Sequence, residues 1–452
     1  MRLEERVFAG LLVWIVFIVY SNSLFANPPS TTHYILDPET QNHPLTVYSL
    51  SNSNIVRAGS TTLLLERDEF GTIPAGADLA PGTKLEGLGP FVLGSEGQTV
   101  DAPSPATFLG TLFVIPHIRN TRKIYLSSPS NDASVTVETG GEVNNLSLTQ
   151  GNVFEYSLGS DNALSSIVES DTPVLITHVA ENGSSRLDVF PVPPASREIW
   201  GVRSKNALIG AVTDNTTLTV YTSGGNTQTF LLNRGDRQLI SVGSNAAEGA
   251  GNGIHIVADN PVSAVQYADS DGSEATSFLP TNYLSNYFGI PVGAQYIAVT
   301  CPYGNTSVTL YDGANLPETR QCNGARANFP GKAYFGSTSD GLNVLQGAYI
   351  RSSKPVFSYI EVTAGSEEKQ LLGNKYGYRV LSPWTGESPL SIVSLDDNNT
   401  IDAGATSIVL NKNELGVIPP GTDLAPGQEI QGASAFDVGS AGDGADMPVP
   451  GL

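Results

Sequence analysis

The side chains in this sequence best suited to holding or transforming a ligand are carboxylates gathered in short turns. Residues 268–274 read ADSDGSE and bring Asp269, Asp271 and Glu274 together; GDGADMP offers Asp443 and Asp446, and SLDDNN offers Asp396 and Asp397. Hard cations such as Ca2+ take several carboxylate and carbonyl oxygens, and Asp-x-Asp-Gly is a fragment of such a loop. Asp269, Asp271 and Glu274 are therefore the candidate metal ligands, with Ca2+ the implied ion. No Glu stands at the bidentate position of a following helix, so solvated turn aspartates are the competing reading. A glycoside hydrolase would need two carboxylates facing each other in space, which spacing along the chain does not reveal.

Other chemistries lack their residues. His33, His43, His117, His178 and His255 are far apart, and none has the spacing of a helical zinc site. Gly94-Ser95-Glu96-Gly97 and Gly439-Ser440-Ala441-Gly442 have one residue too few between their glycines for a nucleophile elbow. There is no phosphate-cradling loop and no dinucleotide fingerprint. The only two cysteines, Cys301 and Cys322, have no histidine motif beside them and read as one disulfide between two strands of one module. Closing such a loop is worth about 3 kcal/mol in the chain-entropy treatment. The expectation is a protein without catalytic residues. A net charge of −21 argues against nucleic acid and anionic membrane surfaces as partners.

The elements that position these residues are strands. Ser, Thr, Asn, Gly, Val and Leu recur in short runs, and only 15% of residues are charged. The N-terminus carries Arg2 and Arg6, an apolar run from Val7 to Tyr20, then Ser23-Leu24-Phe25-Ala26. That pattern reads as a signal peptide over residues 1–26, the run falling short of the roughly 20 residues a membrane span needs. No membrane span is expected in the chain after its removal.

GADLAPGTKLEGLGPFVLGS, from Gly76, returns as GTDLAPGQEIQGASAFDVGS, from Gly421, and the alignment at a spacing of 345 runs without a gap from Pro44 onward. Matched glycines include Gly59 with Gly404 and Gly94 with Gly439. Between the copies a weaker pattern recurs. Pro173-Val174, Pro261-Val262 and Pro355-Val356 each open a strand that ends in a polar turn. Upstream of each lies a hairpin: SVTVETGGEVNNLSL, TLTVYTSGGNTQTFLL and SVTLYDGANLPETRQC. Pro90-Phe91 is a divergent form of the same step. Five β modules follow: 27–107, 108–196, 197–286, 287–376 and 377–452, the fifth an incomplete copy of the first. The expected fold class is all-β, with tandem β-sandwich-like modules, or alternatively large β-propeller blades. Trp200, Tyr283, Phe288 and Trp384 are the aromatics expected to plug the joints. Asn145, Asn182, Asn215, Asn305 and Asn398 begin Asn-x-Ser/Thr triplets, which matter only where a secretory pathway glycosylates them.

Three segments carry a family resemblance: Ser170-Asp171-Thr172-Pro173-Val174, Ala258-Asp259-Asn260-Pro261-Val262 and Ser352-Ser353-Lys354-Pro355-Val356. With the hairpin before and the Gly-rich turn after, residues 108–376 resemble the repeats of the IgG-Fc-binding protein N-terminal region. The resemblance implies an extracellular, modular protein that works by binding. The expectation is a secreted or cell-surface protein acting as an adhesin or as a filament or sheath subunit. Its partners would be an extracellular protein or glycan, or further copies of itself joined head to tail. Alternatives are an adhesin for carbohydrate or glycoprotein supported by Ca2+, and a secreted polysaccharide-acting enzyme.

Overall fold

The computed structural model describes residues 30–95, 103–118, 121–158, 164–182, 185–204, 206–241, 252–267, 275–313, 316–336, 343–362, 367–371, 377–381, 390–394, 399–411, 414–419, 421, 429–440 and 449–450. β-Branched and apolar runs, broken every few residues by Gly, Asn or Asp, favour pleated sheet over helix. The described residues accordingly form strands joined by turns and short 3₁₀ segments, in tandem all-β modules. None of their helices is long and apolar enough to cross a membrane. Two compact units are distinct: Pro28–Asn374 holds four modules, and the other is built on Lys375–Leu452.

The first module shows the plan. Its strands are β1 (Thr32–Tyr34), β2 (Leu45–Ser49), β3 (Asn54–Ala58), β4 (Thr61–Leu65), β5 (Phe70–Ile73), β6 (Lys84–Gly87), β7 (Phe91–Ser95) and β8 (Ser104–Pro105). One sheet has the order β4-β3-β6-β1-β8 and the other β5-β2-β7. Val47, Val56, Leu65, Ile73, Leu85 and Phe91 fill the space between them.

In modules 2, 3 and 4 the counterparts of β6 and β7 are one long strand: Ser165–Asn182, Asn252–Tyr267 and Tyr349–Val362. Its first half pairs with one set of strands and its second half with another. In Ser165–Asn182, Ser170 still faces Val135, whereas Leu175 already faces Ser127 of the second set. Asp171 to Val174 make the crossing. Proline suits this point because it has no N–H to leave unpaired where the ladder changes partners. The residue two before the proline supplies an acceptor that starts the neighbouring strand. The Ser134 N–H donates to Asp171 Oδ1, the Thr217 N–H to Asp259 Oδ1 and the Ser307 N–H to Ser353 Oγ, each at 2.9 Å. The Ser/Asp-x-Pro-Val signature is thus the grammar of a strand that changes partners. Pro90 stands at the same place, between β6 and β7.

The fifth module, expected to be incomplete, holds a counterpart of every strand of the first. Val449–Pro450 pairs with Gly377–Leu381 as β8 pairs with β1. Leu45 pairs with Ile73 and Ser95; Leu390, 345 positions on, pairs with Ile418 and Ser440. Its buried residues Ile392, Ile401, Ala403, Leu410, Ile418, Ile430 and Phe436 each stand 345 positions after a core residue of module 1. Gly59 and Gly404 are matched in conformation, with φ of +52° and +55°. A side chain at Gly59 would also collide with Asp78, whose carboxyl accepts the Ser60 N–H at 2.9 Å. That bond, with the hydroxyls of Thr61 and Ser60, holds Asp78 down to a pKa of about 2.

Cys301 and Cys322 form the expected disulfide, with Cα atoms 6.3 Å apart. It joins the strand Ala294–Cys301 to the residue following Glu318–Gln321, two strands on opposite halves of Tyr349–Val362, the first paired with it directly and the second with its neighbour. Two of the Asn-x-Ser/Thr triplets are explained by turns. Asn215 and Asn305 both have φ of +56°, and the next residue in each case, Thr216 or Thr306, donates its hydroxyl three residues back.

Replacing Asp259 by Ala removes the acceptor for the Thr217 N–H. The expected loss is about 1 kcal/mol of unfolding free energy in urea, and Asp259→Asn, which keeps an acceptor, should recover most of it.

Candidate functional site: the shared core and its junctions

The acidic turns cannot be placed. Asp269, Asp271, Glu274, Asp396, Asp397, Asp443 and Asp446 lie outside the described residues, as does Trp384. Among the described residues no three His, Cys, Asp or Glu side chains gather in a metal-binding group.

Four of the five histidines are buried in packing contacts. His33 lies tilted against Phe91, and His178 meets Phe190 edge-on with ring centres 4.9 Å apart. Burial drives both imidazoles down to a pKa of about 3; for His178 the neighbouring His117 adds to the effect. His117 Nε2 is 2.8 Å from the Ser166 hydroxyl.

What the structure does bring together is aromatic. One cluster of buried side chains draws on all four modules of the Pro28–Asn374 unit. It contains Leu36 from module 1; Tyr125, Leu175 and Val179 from module 2; Trp200 and Leu279 from module 3; and Tyr296, Phe357 and Tyr359 from module 4. Two linkers reach the same place. The 3₁₀ turns Ala106–Phe108 and Thr281–Tyr283 bring Phe108 and Tyr283 edge to face with centres 5.1 Å apart. The Tyr283 hydroxyl donates to the Thr107 carbonyl. Trp200 and Tyr283 therefore plug joints as expected. Phe288 does not; it belongs to the private core of module 4. Tyr125, Tyr296 and Tyr359 were not singled out by sequence, because a tyrosine inside an apolar strand looks the same in any core.

Around this core each module presses a turn against the module before it, and a residue with positive φ marks each turn. Gly151, with φ of +75°, brings its carbonyl against Gly82 of module 1. Gly235, with φ of +78°, accepts the Ser165 N–H of module 2 at 2.9 Å. Beside it, Arg234 donates to Glu138 Oε2 at 2.9 Å and to Glu169 Oε1 at 3.0 Å. Asn328, with φ of +66°, offers its carbonyl to His255 of module 3 at 2.8 Å. Asp68, with φ of +68°, closes the circuit from module 1 back to module 4. It accepts the Tyr287 hydroxyl, and the Tyr48 hydroxyl at 3.3 Å. Tyr48 also lies flat on Gly289, where any side chain would collide with its ring.

The junction of modules 3 and 4 has a polar centre. His255 Nδ1 donates to the Asn328 carbonyl, and Nε2 meets Glu198 Oε1 at 2.9 Å. Trp200 lies parallel to the imidazole at 3.7 Å and donates its indole N–H to Thr281 Oγ1 at 2.9 Å. The bond with His255 holds the Glu198 carboxyl below the usual carboxylate range, against the opposing effect of burial. Burial, aided by Glu198, raises the Tyr303 hydroxyl. Glu198, His255, Asn328, Trp200 and Thr281 are joined by hydrogen bonds here, so the arrangement holds modules in register.

No known family model matches this chain, and no curated protein matches its sequence.

Two measurements check these assignments. Trp200→Ala should cost about 3–5 kcal/mol, as for other large buried aromatics, read as a lower urea midpoint. The buried histidines set a pH dependence. The unfolded chain binds protons at His33 and His178 from about pH 6.5 downward, whereas the folded chain does so only near pH 3. Stability from this source is therefore full above pH 6.5 and falls as pH drops towards 3, by about 1.4 kcal/mol per pH unit per histidine. Between pH 6 and 5, above the carboxylate range, His178→Gln should flatten the slope by about half.

Proposed function

We propose that this is an exported, repeat-built surface or matrix protein that acts by binding or by assembly. The observation that carries the reading is the closure of four modules around one aromatic core. Their shared plan, disulfide and interlocking turns go into a scaffold held together at its centre. A scaffold of this kind presents outer edges and turns to an extracellular protein, a glycan or a second copy of itself. The N-terminal apolar run supports export, and the Cys301–Cys322 bond supports an oxidising destination. The resemblance of residues 108–376 to repeats of the IgG-Fc-binding protein N-terminal region points the same way.

Fractionation of the cells that make the protein tests this. The expected product is outside the cytoplasm, begins near Asn27 and has no free thiol. Recovery in the cytosol with residues 1–26 intact and both thiols titratable would refute export.

A further inference from the structure

The modules differ in how they protect their outer strands. In every module the strand corresponding to β4 ends its sheet. Natural edges are blunted by charge, because an unpaired row of N–H and C=O groups is a template for another strand. Glu142–Leu148 of module 2 carries a glutamate, and Glu318–Gln321 of module 4 carries Glu318 and Arg320. Three edges carry no charge and no proline: β4 (TTLLL), Thr227–Leu232 (TQTFLL) and Thr406–Leu410 (TSIVL). Each also exposes a large apolar side chain, Leu64 at 67%, Leu231 at 66% and Val409 at 62%. On a chain of net charge −21 these strands carry no carboxylate of their own, although Asp78 is bound at the start of β4.

Two of the three suit each other. Antiparallel pairing with Leu63 opposite Ile408 leaves every side chain on its proper face. Leu63 and Leu65 join Ile408 and Leu410 on the core side, while Leu64 and Val409 share the outer side. Charge distinguishes this pairing from self-pairing. The residue beside Thr62 on the next strand is Arg57, and the residue beside Ser407 is Asp402, both exposed. Pairing β4 with β4 would set two arginines on one face, each also facing Glu86 and about 14 Å apart across three strand spacings, and Thr406–Leu410 with itself two aspartates at the same separation. Only the mixed pair sets an arginine and an aspartate on one face.

We propose that β4 of one copy pairs with Thr406–Leu410 of a second copy, so that molecules join head to tail. This rests on the assembly reading above and names its surface. Such a contact is heterologous and leaves each joined pair with one free edge of each kind, so growth continues unless it closes on itself.

The test uses the full exported chain and the variants Leu64→Lys, Val409→Lys and Leu231→Lys, each first shown to melt like the wild type. Sedimentation should show concentration-dependent oligomers beyond a dimer for the wild type and for Leu231→Lys. Leu64→Lys alone and Val409→Lys alone should be monomers. Mixed in equal amounts they should form dimers and nothing larger, because each supplies the edge the other has lost. If the wild type assembles and the Leu64 and Val409 variants assemble equally well, these edges are wrong, although assembly itself stands. Loss of assembly in Leu231→Lys, or no dimer in the mixture, also overturns the pairing. A wild type that stays monomeric at its highest soluble concentration overturns both the pairing and self-assembly, and leaves export to its own test.

Discussion

A module of about 80 residues buries only a modest share of its surface by itself, which leaves it room to gain from its neighbours. Here that gain comes from pooling. Trp200, Tyr125, Tyr296, Tyr359 and Phe357 come from three different modules, and with Leu36 of a fourth they form one buried cluster. Removing these rings from water needs all four modules in place, so folding of the Pro28–Asn374 unit is coupled across its length. The interlocking turns then fix which module lies next to which. Tyr48 on Gly289 and Tyr287 on Asp68 make the last contact of the circuit between residues more than two hundred positions apart.

Local rules were legible in the chain, and closure was not. Pro173, Pro261 and Pro355 mark strands, as expected, but stand inside them where the strand changes partners and not at their openings. Gly59 and Gly404 announce a turn with positive φ. These effects act within a few residues, so composition and spacing carry them. The shared core is made of residues distant in sequence whose neighbours are ordinary strand residues. Nothing near Tyr125 or Tyr359 distinguishes a ring that faces its own sandwich from one that faces a common centre. A recurrent segment did hold a clue: Pro105-Ala106-Thr107-Phe108-Leu109 and Pro280-Thr281-Asn282-Tyr283-Leu284 both deliver an aromatic ring to that centre. The sandwich description was right for single modules and silent on their arrangement.

The similarity between the first and fifth modules becomes more informative once the packing is known. Positions that fill the private core are kept, as in Ala58 and Ala403, Leu65 and Leu410, and Phe91 and Phe436. Positions that bind module 1 to module 4 are not: 345 residues after Tyr48 and Asp68 stand Val393 and Asn413. Val393 has no hydroxyl to donate, and Asn413 carries no charge. The fifth module thus repeats the core of the first without the tyrosine and aspartate that the first module uses at its junction.

The disulfide sits at the root of a finger. Cys322 is followed by residues 323 to 332, whose two ends pair back to back, and Cys301 pairs with Gly331 on the returning limb. The tip of that finger carries Asn328, the residue that meets His255. A reducing agent acting on this one bond would therefore slacken a lever whose far end is the seam between modules 3 and 4, which makes the fit of two neighbours answerable to the redox state of their surroundings.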